Sequence, residues 1–307
     1  MRAAILNEVG GTPAVGEFED PKAIDGGKIG RVLVAGLNPI DRTLSKGGPY
    51  GPPTIPSVVG QEGIAELEDG SRVYFRDVRK PFGSMAELVP LDPTKIYRVP
   101  DGVDDALAVA VGIAGTAAWA TLHVRAKVAA GESVLVLGAS GVVGQIAVQL
   151  AKLAGARVVA AARHTASLER LKDAGAADET VVLDGDYAAA LKDASAGGYD
   201  VVIDPVFGGP LEAAFATTKF GARYVVCGMS AGPSATITYP NLIGRTVIGH
   251  IAVTVPPNVT ARAYEELVTH VRKGQLSVET ERMPLDKISE AWDEQGSAPH
   301  RKLVIEF

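Results

Sequence analysis

Residues 134–144, VLVLGASGVVG, predict the fold of the central part of this chain. Residues 134–137 are four consecutive apolar residues and predict a short buried strand. The apolar periodicity that begins at Val142 predicts a helix ending near Gly155. The glycine-rich turn between them, residues 138–144, leaves backbone N–H groups bare at the helix N-terminus, where a pyrophosphate can bind. The stretch therefore predicts a strand–turn–helix unit that binds a dinucleotide.

Strands and helices continue to alternate after this unit. We predict strands over 157–162, 181–183, 201–203 and 224–227, helices over 167–174 and 211–217, and a late β-rich segment over 246–255. Short apolar strands separated by helices are typical of a parallel sheet covered on both faces. The pattern predicts an α/β fold, a doubly wound Rossmann domain.

The first third of the chain has a different pattern. Short strands broken by Gly and Pro are expected over 3–6, 30–35, 64–67, 72–75 and 85–89. Such spacing favours a small β-barrel or sandwich. A helix over 285–294 and a strand over 303–307 are expected near the C-terminus, and this pattern is again like that of the first third. We therefore expect both ends of the chain to form one β-rich domain, with the nucleotide domain inserted between them.

The composition limits the classes of partner. A chain of 307 residues with 47% apolar residues can form two domains with cores, and a net charge of −6 argues against nucleic acid or anionic membrane as partners. The basic run RDVRK at 76–80 is interpreted as a solvated loop. The single cysteine, Cys227, excludes a disulfide and a cysteine-built zinc site, and is interpreted as a small apolar residue in a core strand. No apolar run reaches membrane-spanning or signal-peptide length, so a cytoplasmic location is expected.

The end of the second strand bears on the choice of cofactor. Proteins that bind NAD place an acidic residue there for the ribose hydroxyls, whereas this chain has AARHT at 161–165. Arg163 can pair with a 2′-phosphate, and the hydroxyls of Thr165 and Ser167 can add hydrogen bonds. Glu169 is expected to point elsewhere from the following helix. The sequence favours NADPH, with an exposed helix-start role for Arg163 as the alternative.

Six motifs together resemble one family over almost the whole chain: GLNPID at 36–41, GGPY at 47–50, VGQEG at 59–63, AGTAAW at 114–119, GASGVVGQ at 138–145 and RKLVI at 301–305. They resemble the zinc-independent, zeta-crystallin-like quinone oxidoreductase branch of the medium-chain dehydrogenase/reductase superfamily. The resemblance implies a GroES-like catalytic domain from residues 1–113 and 258–307 around a Rossmann NADP-binding domain from residues 114–257. It also implies a homodimer, with 246–255 as a candidate interface strand.

The resemblance also bears on metal. Zinc-dependent members of the superfamily have a Cys where Asn38 stands and a His where Gln61 stands, and neither amide is a competent zinc ligand. We therefore expect no metal. Without a Lewis acid, alcohol oxidation is disfavoured, while reduction of an electrophilic acceptor remains feasible.

The resemblance implies three residues in the catalytic pocket. Asn38 would hydrogen-bond near the nicotinamide ribose or the substrate, Asp41 would close a polar network beside it, and Tyr50 would line the pocket and donate to the substrate oxygen. The alternatives are that Asn38 shapes a turn before Pro39 and that Asp41 caps a short helix. Residues expected to bind the cofactor are Thr116, Ala139, Ser140, Gly141, Val142, Val143, Arg163, His164, Gly228, His250 and Ile251. His250 is also a candidate proton donor, with a surface or interface histidine as the alternative.

These features predict a reductase that transfers hydride from NADPH to a quinone or an α,β-unsaturated carbonyl. Thr43, where quinone reductases often have Tyr, and a shortened segment over 64–88 predict an open pocket for bulky acceptors. An enoyl-thioester reductase is a second possibility, although only Arg76, Arg79 and Lys80 offer a basic surface for it. A third is a non-catalytic NADPH-binding structural or RNA-interacting protein. A short-chain dehydrogenase is excluded, since no tyrosine after the glycine turn has a Lys four residues later.

Overall fold

The computed structural model describes residues 1–23, 26–48, 51–251 and 254–307, which form two compact units. Unit 1 comprises Met1–Ile113 and Pro257–Phe307, so both ends of the chain contribute to it. Unit 2 comprises Ala114–Pro256. No helix within the described residues is long and apolar enough to cross a membrane.

The first part of unit 1 is rich in strands. They are β1 Arg2–Leu6, β2 Ala14–Glu17, β3 Lys28–Gly36, β4 Ser57–Val58, β5 Glu62–Glu66, β6 Arg72–Arg76, β7 Leu88–Leu91 and β8 Ile96–Arg98. The helices in this part are α1 Pro39–Lys46 and α2 Asp105–Ala110, and α3 Ile113–Trp119 leads into unit 2 with a π-helical continuation, Ala120–Ala126.

Unit 2 alternates strands with helices. They are β9 Ser133–Leu137, α4 Val142–Leu153, β10 Arg157–Ala162, α5 Thr165–Asp173, β11 Glu179–Val182, α6 Tyr187–Ala194, β12 Tyr199–Asp204, α7 Gly209–Phe215, β13 Thr218–Val226, α8 Tyr239–Leu242 and β14 Thr246–Gly249. The chain then returns to unit 1 through α9 Pro257–Arg272, β15 Thr280–Pro284, a 3-10 turn Leu285–Lys287, α10 Ile288–Gly296 and β16 Lys302–Glu306.

The sheet of unit 2 is parallel throughout its described strands. Its order is β11-β10-β9-β12-β13-β14, so the first strand, β9, lies in the middle. Strands β10 and β11 extend the sheet on one side of β9, and β12 to β14 extend it on the other, so the strand order reverses between β9 and β12. Every residue of β9 is buried, as expected for a strand with helices on both faces. This is the Rossmann order, and it confirms the predicted fold class. The open end of the reversal lies at the carboxyl ends of β9 and β12, where ligands bind in such sheets.

Unit 1 contains two sheets among the residues that the structure describes. One has the order β2-β1-β4, and the other runs β15-β16-β3-β5-β6-β8 with β7 also paired to β3. The returning β16 lies antiparallel to β3, with Val304 opposite Gly36. A core of Leu37, Trp292 and Ile305 joins segments from both ends of the chain. The β-rich character predicted for this part of the chain is confirmed.

Two local predictions are wrong. The basic run at 76–80 is not simply a solvated loop, because β6 extends through Arg76, which is buried and pairs with Asp77, and Val78 packs into a core. The late β-rich segment ends as a strand at Gly249 rather than 255, because the chain turns and buries His250; residues 252 and 253 lie outside the described residues. The helix α9 was also missed, although its buried residues recur with helical spacing.

Candidate active site and dinucleotide cradle

The glycine turn after β9 requires glycine at two positions. Gly138 has φ +61°, and a Cβ there would lie 2.4 Å from Val206 Cγ1. A Cβ on Gly144 would lie 2.3 Å from the Gly138 carbonyl oxygen, so α4 packs directly against the turn. Ala139, which stands at the first glycine position of the dinucleotide-binding fingerprint, is buried and donates its N–H to the Ala161 carbonyl at 3.0 Å. An alanine therefore fits at this position.

The start of α4 forms the rest of the cradle. Gly141 is the N-cap residue, and Val142 and Val143 begin the helix. The first N–H groups of a helix have no acceptor within it, and the helix dipole places partial positive charge there. Gln145, which the sequence analysis missed, donates from Nε2 to the Ser140 carbonyl at 2.8 Å and fixes the turn. This combination fits a dinucleotide pyrophosphate.

The loop after β10 supplies positive charge and no carboxylate. Arg163 is exposed directly after the strand, and His164 is the N-cap residue of α5. Ser167 was expected to offer its hydroxyl to a phosphate, but it is buried and its Oγ is engaged by His164 Nδ1 at 2.8 Å and by Arg170 Nη2 at 3.0 Å. That expectation is wrong. Glu169 lies in α5, as expected.

Three further predicted cofactor residues are placed in unit 2. Thr116 is buried in α3, and Ile251 is 43% exposed after β14. Gly228 follows β13, and a Cβ there would lie 2.2 Å from the Pro205 carbonyl oxygen. Cys227 beside it is not a nucleophile, because burial and the nearby Asp204 charge raise the pKa of its thiol to about 12.

His250 is held in one protonation state. It is 7% exposed, so the surface alternative is wrong. Arg125 Nε donates to His250 Nδ1 at 3.4 Å, and burial together with the Arg125 charge lowers the pKa of His250. The ring is therefore neutral and carries its proton on Nε2. Across the described ranges, that buried nitrogen has no hydrogen-bond partner.

In unit 1, Asn38 and Asp41 form the N-terminus of α1. Asn38 is the N-cap residue, and its backbone N–H donates to Asp41 Oδ2 at 2.8 Å. The Asp41 N–H donates to the Asn38 carbonyl at 3.1 Å. Both residues are 4% exposed. The capping alternative for Asp41 is therefore correct in geometry, and it leaves the second carboxylate oxygen, Oδ1, outside this pair.

A buried ion pair lies on the other side of Asn38. Lys302 and Glu62 are 2% and 0% exposed, and Lys302 Nζ donates to Glu62 Oε1 at 2.7 Å and to Asn38 Oδ1 at 2.6 Å. Asn38 Nδ2 donates to Glu62 Oε1 at 2.8 Å and to the Gly36 carbonyl at 3.4 Å. Both amide hydrogens are thus used, while Oδ1 keeps one lone pair. Asn38 can accept a hydrogen bond from a ligand but cannot donate one.

The second oxygen of Glu62 anchors the pair to the rest of unit 1. Tyr74 donates its hydroxyl to Glu62 Oε2 at 2.8 Å, and the Ile113 N–H donates to the same oxygen at 2.6 Å. Tyr74 stacks on Tyr264 with ring centroids 4.3 Å apart. Burial and the Glu62 charge raise the pKa of Tyr74 well above its ordinary value, so its proton stays on the hydroxyl. The carboxylate is satisfied on both oxygens.

A cavity of about 220 Å³ in unit 1 lies beside α1. Its polar lining includes Asp41, Gln61 and Lys80 together with hydroxyl side chains, and Leu6, Leu44, Val59 and Val78 supply apolar contacts. Lys80 Nζ donates to the Val58 carbonyl at 2.7 Å. Tyr50, predicted to line the pocket, lies outside the described residues.

Two titratable groups in the cavity are shifted from their ordinary pKa values. Burial raises the pKa of Asp41 to about 7, against the opposing effects of the Asn38 N–H and the Lys302 charge. Partial desolvation lowers the pKa of Lys80, and the Asp41 charge opposes that shift. Shifted acids and bases in a cavity are typical of a functional site.

The residues around Asn38 do not fit a zinc ion. Zinc in dehydrogenases takes thiolate, imidazole or carboxylate ligands, whereas Asn38 and Gln61 provide amides. The Asn38 amide oxygen already accepts from the Lys302 ammonium, whose charge would repel a metal ion placed beside it. Within the ranges that the structure describes, no three His, Cys, Asp or Glu residues converge to hold a metal.

Comparison with known proteins supports the resemblance drawn from the sequence motifs. Residues 142–269 match the family model described as zinc-binding dehydrogenase. The chain is similar over its whole length to the quinone oxidoreductase of Thermus thermophilus, solved also as a complex with NADPH, with a TM-score of 0.81, 25% identity and 100% coverage of both chains. These similarities agree with the resemblance to the medium-chain dehydrogenase/reductase superfamily.

The curated relatives match only part of this chain. An NADPH-dependent alkenal/one oxidoreductase of Arabidopsis thaliana is 31% identical over 199 residues, which are 57% of this chain and 51% of that protein. A mycocerosic acid synthase-like polyketide synthase of Mycobacterium tuberculosis is 38% identical over 121 residues, 39% of this chain and 6% of that protein. The chain thus spans about half, or less, of these relatives. The region matched by the zinc-binding model includes neither Asn38 nor Gln61.

The sequence patterns did not predict the partners of Asn38. Glu62 and Lys302 lie within two of the motifs, and the signal that marks them is a charged residue next to an apolar strand run, GIA at 63–65 and LVI at 303–305. Buried charges are rarely tolerated without a partner, so two such residues of opposite sign predict a pair. Lys80 is exposed, as its charged neighbours predict, but its hydrogen bond to the Val58 carbonyl was not predicted.

Proposed function

We propose that this protein is a metal-free reductase that uses NADPH to reduce a quinone or an α,β-unsaturated carbonyl. The observation that carries the proposal is the Lys302–Asn38 contact at 2.6 Å, which places an ammonium group against Asn38, the residue that by the resemblance stands where zinc-dependent members have a Cys ligand. The family relationship supports it, since relatives include a quinone oxidoreductase and an alkenal/one oxidoreductase.

The dinucleotide would bind to unit 2. The turn at 138–144 and the first N–H groups of α4 would hold its pyrophosphate, and Thr116, Gly228, His250 and Ile251 are proposed to contact the rest of it. When bound, NADPH supplies the hydride. Arg163 would pair with the 2′-phosphate, and no acid stands at 161–167 to repel it.

Unit 1 would contribute the catalytic-pocket residues that the resemblance implies. Asn38 accepts but does not donate, so it suits a ribose hydroxyl rather than a substrate carbonyl. Tyr50 remains the proposed donor to the substrate oxygen. The cavity of about 220 Å³ is smaller than the range of roughly 300–1,000 Å³ typical of ligand pockets, so it favours small acceptors over the bulky ones expected from the sequence.

Oxidation of NADPH and NADH with a panel of quinones, enones and enoyl thioesters tests the proposal, with and without a chelator. We expect NADPH oxidation with small quinones or enones that a chelator does not change. Chelator-sensitive turnover would contradict the metal-free site. Binding of NADPH with no acceptor reduced would favour the non-catalytic, crystallin-like alternative.

The cofactor preference has its own test. Arg163→Ala should weaken NADPH binding by about 1.5–3 kcal/mol, the value of a charge-assisted hydrogen bond, and leave NADH binding unchanged. Arg98→Ala, an exposed arginine in unit 1, is the matched control. Calorimetric titration measures both. Equal losses for the two cofactors would refute the 2′-phosphate role.

An enoyl-thioester reductase is the second candidate, and the match to a polyketide synthase favours it. The structure leaves little basic surface for a thioester carrier, because Arg76 is buried and paired with Asp77. Arg79 and Lys80 are exposed, and Lys80 Nζ donates to the Val58 carbonyl. Faster turnover of an enoyl thioester than of the matching simple enone would favour this candidate.

We propose a homodimer that forms through β14. Among the described strands, β14 pairs only with β13, which leaves one edge open. Phe220, Ile243 and Val247 are exposed near it, at 81%, 47% and 36%. An open apolar edge is an aggregation hazard unless it is covered. Val247→Lys should convert dimer to monomer in light scattering, whereas Val9→Lys, an exposed valine in unit 1, should not.

The cytoplasmic location expected from the sequence stays a prediction.

A further inference from the structure

The cavity beside α1 combines apolar walls with polar groups that have hydrogen-bonding capacity to spare. Its volume of about 220 Å³ equals that of about seven water molecules, at ~30 Å³ each. Leu6, Leu44, Val59 and Val78 supply the apolar walls. All the lining residues belong to unit 1, so a ligand held here needs no group from unit 2.

Strand β4 places Ser57 on the cavity side. Ser57 lies opposite Leu6 in the antiparallel pair of β1 and β4, and directly opposed residues share one face of a sheet. Val58, the next residue, packs into a separate core on the other face. Ser57 is 1% exposed, and its hydroxyl has no hydrogen-bond partner among the described residues. Its Oγ is not closed off from accessible space, unlike the unpartnered Oγ of Ser84. The hydroxyl is therefore available to a ligand in the cavity.

Lys80 supplies the positive charge of the lining. Its Nζ donates to the Val58 carbonyl at 2.7 Å, which holds the ammonium beside β4 and leaves two of its three N–H groups. Asp41 is the acid whose charge acts on Lys80. The two do not pair, since Asp41 Oδ2 accepts the Asn38 N–H and Oδ1 is buried without a partner. Within the part of the chain that the structure describes, the ammonium has no counter-ion.

These groups define the chemistry of a ligand. An ammonium and a hydroxyl can donate to the two oxygens of one carboxylate, and hydrogen bonds to an ionised acceptor are stronger than neutral ones. Gln61 lines the same cavity, and its side-chain amide has no partner in the described ranges, so it can add a further donor. The apolar walls suit a short hydrocarbon chain, which inorganic phosphate does not have.

We propose that this cavity binds the carboxylate of a short-chain monocarboxylic acid. Lys80 Nζ pairs with the carboxylate, Ser57 Oγ donates to it, and the hydrocarbon chain lies against the apolar walls. The site goes beyond the proposed function, because binding of the acid needs neither the dinucleotide nor a reduction step.

Calorimetric titration of the whole protein with butanoate at pH 6 tests the proposal. Burial raises the pKa of Asp41 to about 7, so at pH 6 that carboxyl is mostly protonated and does not repel the acid. Butanamide has the same shape without the charge and should bind at least about tenfold more weakly. Each methylene added from acetate to butanoate should tighten binding by up to about fourfold. Butanamide or inorganic phosphate that binds as tightly as butanoate would overturn the proposal.

Three variants locate the site. Lys80→Met keeps the apolar stem and removes the ammonium, so butanoate should bind at least about tenfold more weakly; Ser57→Ala should weaken it in the same direction. Lys46→Met, the same change at an exposed lysine of α1 that does not line the cavity, should leave binding unchanged.

Butanoate binding that survives Lys80→Met lies elsewhere, for example at the N-terminus of α4, and contradicts the assignment. If a variant does not fold, the comparison of butanoate with butanamide on the wild type decides. None of these measurements depends on oxidation of NADPH, so failure of the reductase function and failure of the acid site are seen separately.

Discussion

Replacement of Lys302 by Met tests whether the buried pair holds unit 1 together. The methionine keeps the length of the apolar stem, so the lost ammonium is the main change. Glu62 would then carry an uncompensated charge at 0% exposure, and Asn38 Oδ1 would lose its donor. Removal of one partner of a buried pair costs about 3–5 kcal/mol.

The paired variant sharpens this prediction. With Lys302→Met in place, Glu62→Gln removes the stranded charge. The new amide nitrogen takes the place of Oε1, which accepts from Asn38 Nδ2, so the Asn38 amide must turn over to present Oδ1 to it, while the Gln oxygen still accepts from Tyr74 and Ile113. We therefore expect the double variant to be more stable than Lys302→Met alone, recovering at least about 1–2 kcal/mol of that loss.

Urea unfolding of unit 1 measures these differences. Trp292 is buried in unit 1, and a Trp119→Phe background makes it the single tryptophan of the chain. Arg282→Met is the matched control, because Arg282 pairs with Asp104 and Glu306 at an exposed position, where a pair contributes about 0–1 kcal/mol. The reasoning is refuted if Lys302→Met costs no more than Arg282→Met, or if the double variant is less stable than the single one.

Two further predictions concern the glycine turn and pH. Gly144→Ala should lower the free energy of unfolding by about 1–3 kcal/mol and weaken dinucleotide binding, because its Cβ would lie 2.3 Å from a backbone oxygen; Gly141→Ala, whose Cβ meets the same oxygen at 3.6 Å, should leave stability nearly unchanged in thermal unfolding. Because burial raises the pKa of Asp41 from 3.8 to about 7, the folded state binds the proton more tightly. Its stabilising contribution is complete below pH 4 and is lost as the pH rises through 7, by about 4 kcal/mol at most. Urea unfolding at pH 5 and pH 8 should therefore show a smaller loss of stability in Asp41→Asn than in the wild type, and equal losses would contradict the burial of an acid there.

The nucleotide unit was predictable because its signals are local. A run such as VLVL at 134–137 and the glycines at 138 and 144 act through neighbours a few residues away, so strand, turn and helix can be read in order. Even the strand order follows from alternating strands and helices. The strand boundaries differed where tertiary contacts decide, as at β14, which ends where His250 becomes buried.

The candidate site was predictable only in part. Asn38 and Asp41 lie within one motif, and their proximity follows from helix capping. The contacts of their partners cannot be predicted from the motif. Lys302 reaches Asn38 only because β16 lies beside β3. Lys80 reaches the cavity only because Val78 packs into the core. A pairing between distant segments leaves no mark on the local pattern, so the charge balance around Asp41 could not be derived from it.

The assembly of unit 1 from two distant segments has a consequence for synthesis on the ribosome. Unit 2 is continuous in the chain, so it can fold as soon as it has emerged. Asn38 and Lys302 are 264 residues apart. At a synthesis rate of about 5–20 residues per second, Lys302 is therefore added about 13 to 53 s after Asn38. Until then Glu62 has no counter-charge, which makes the nascent first segment a candidate substrate for chaperones. The completed ion pair thus marks the last step of assembly.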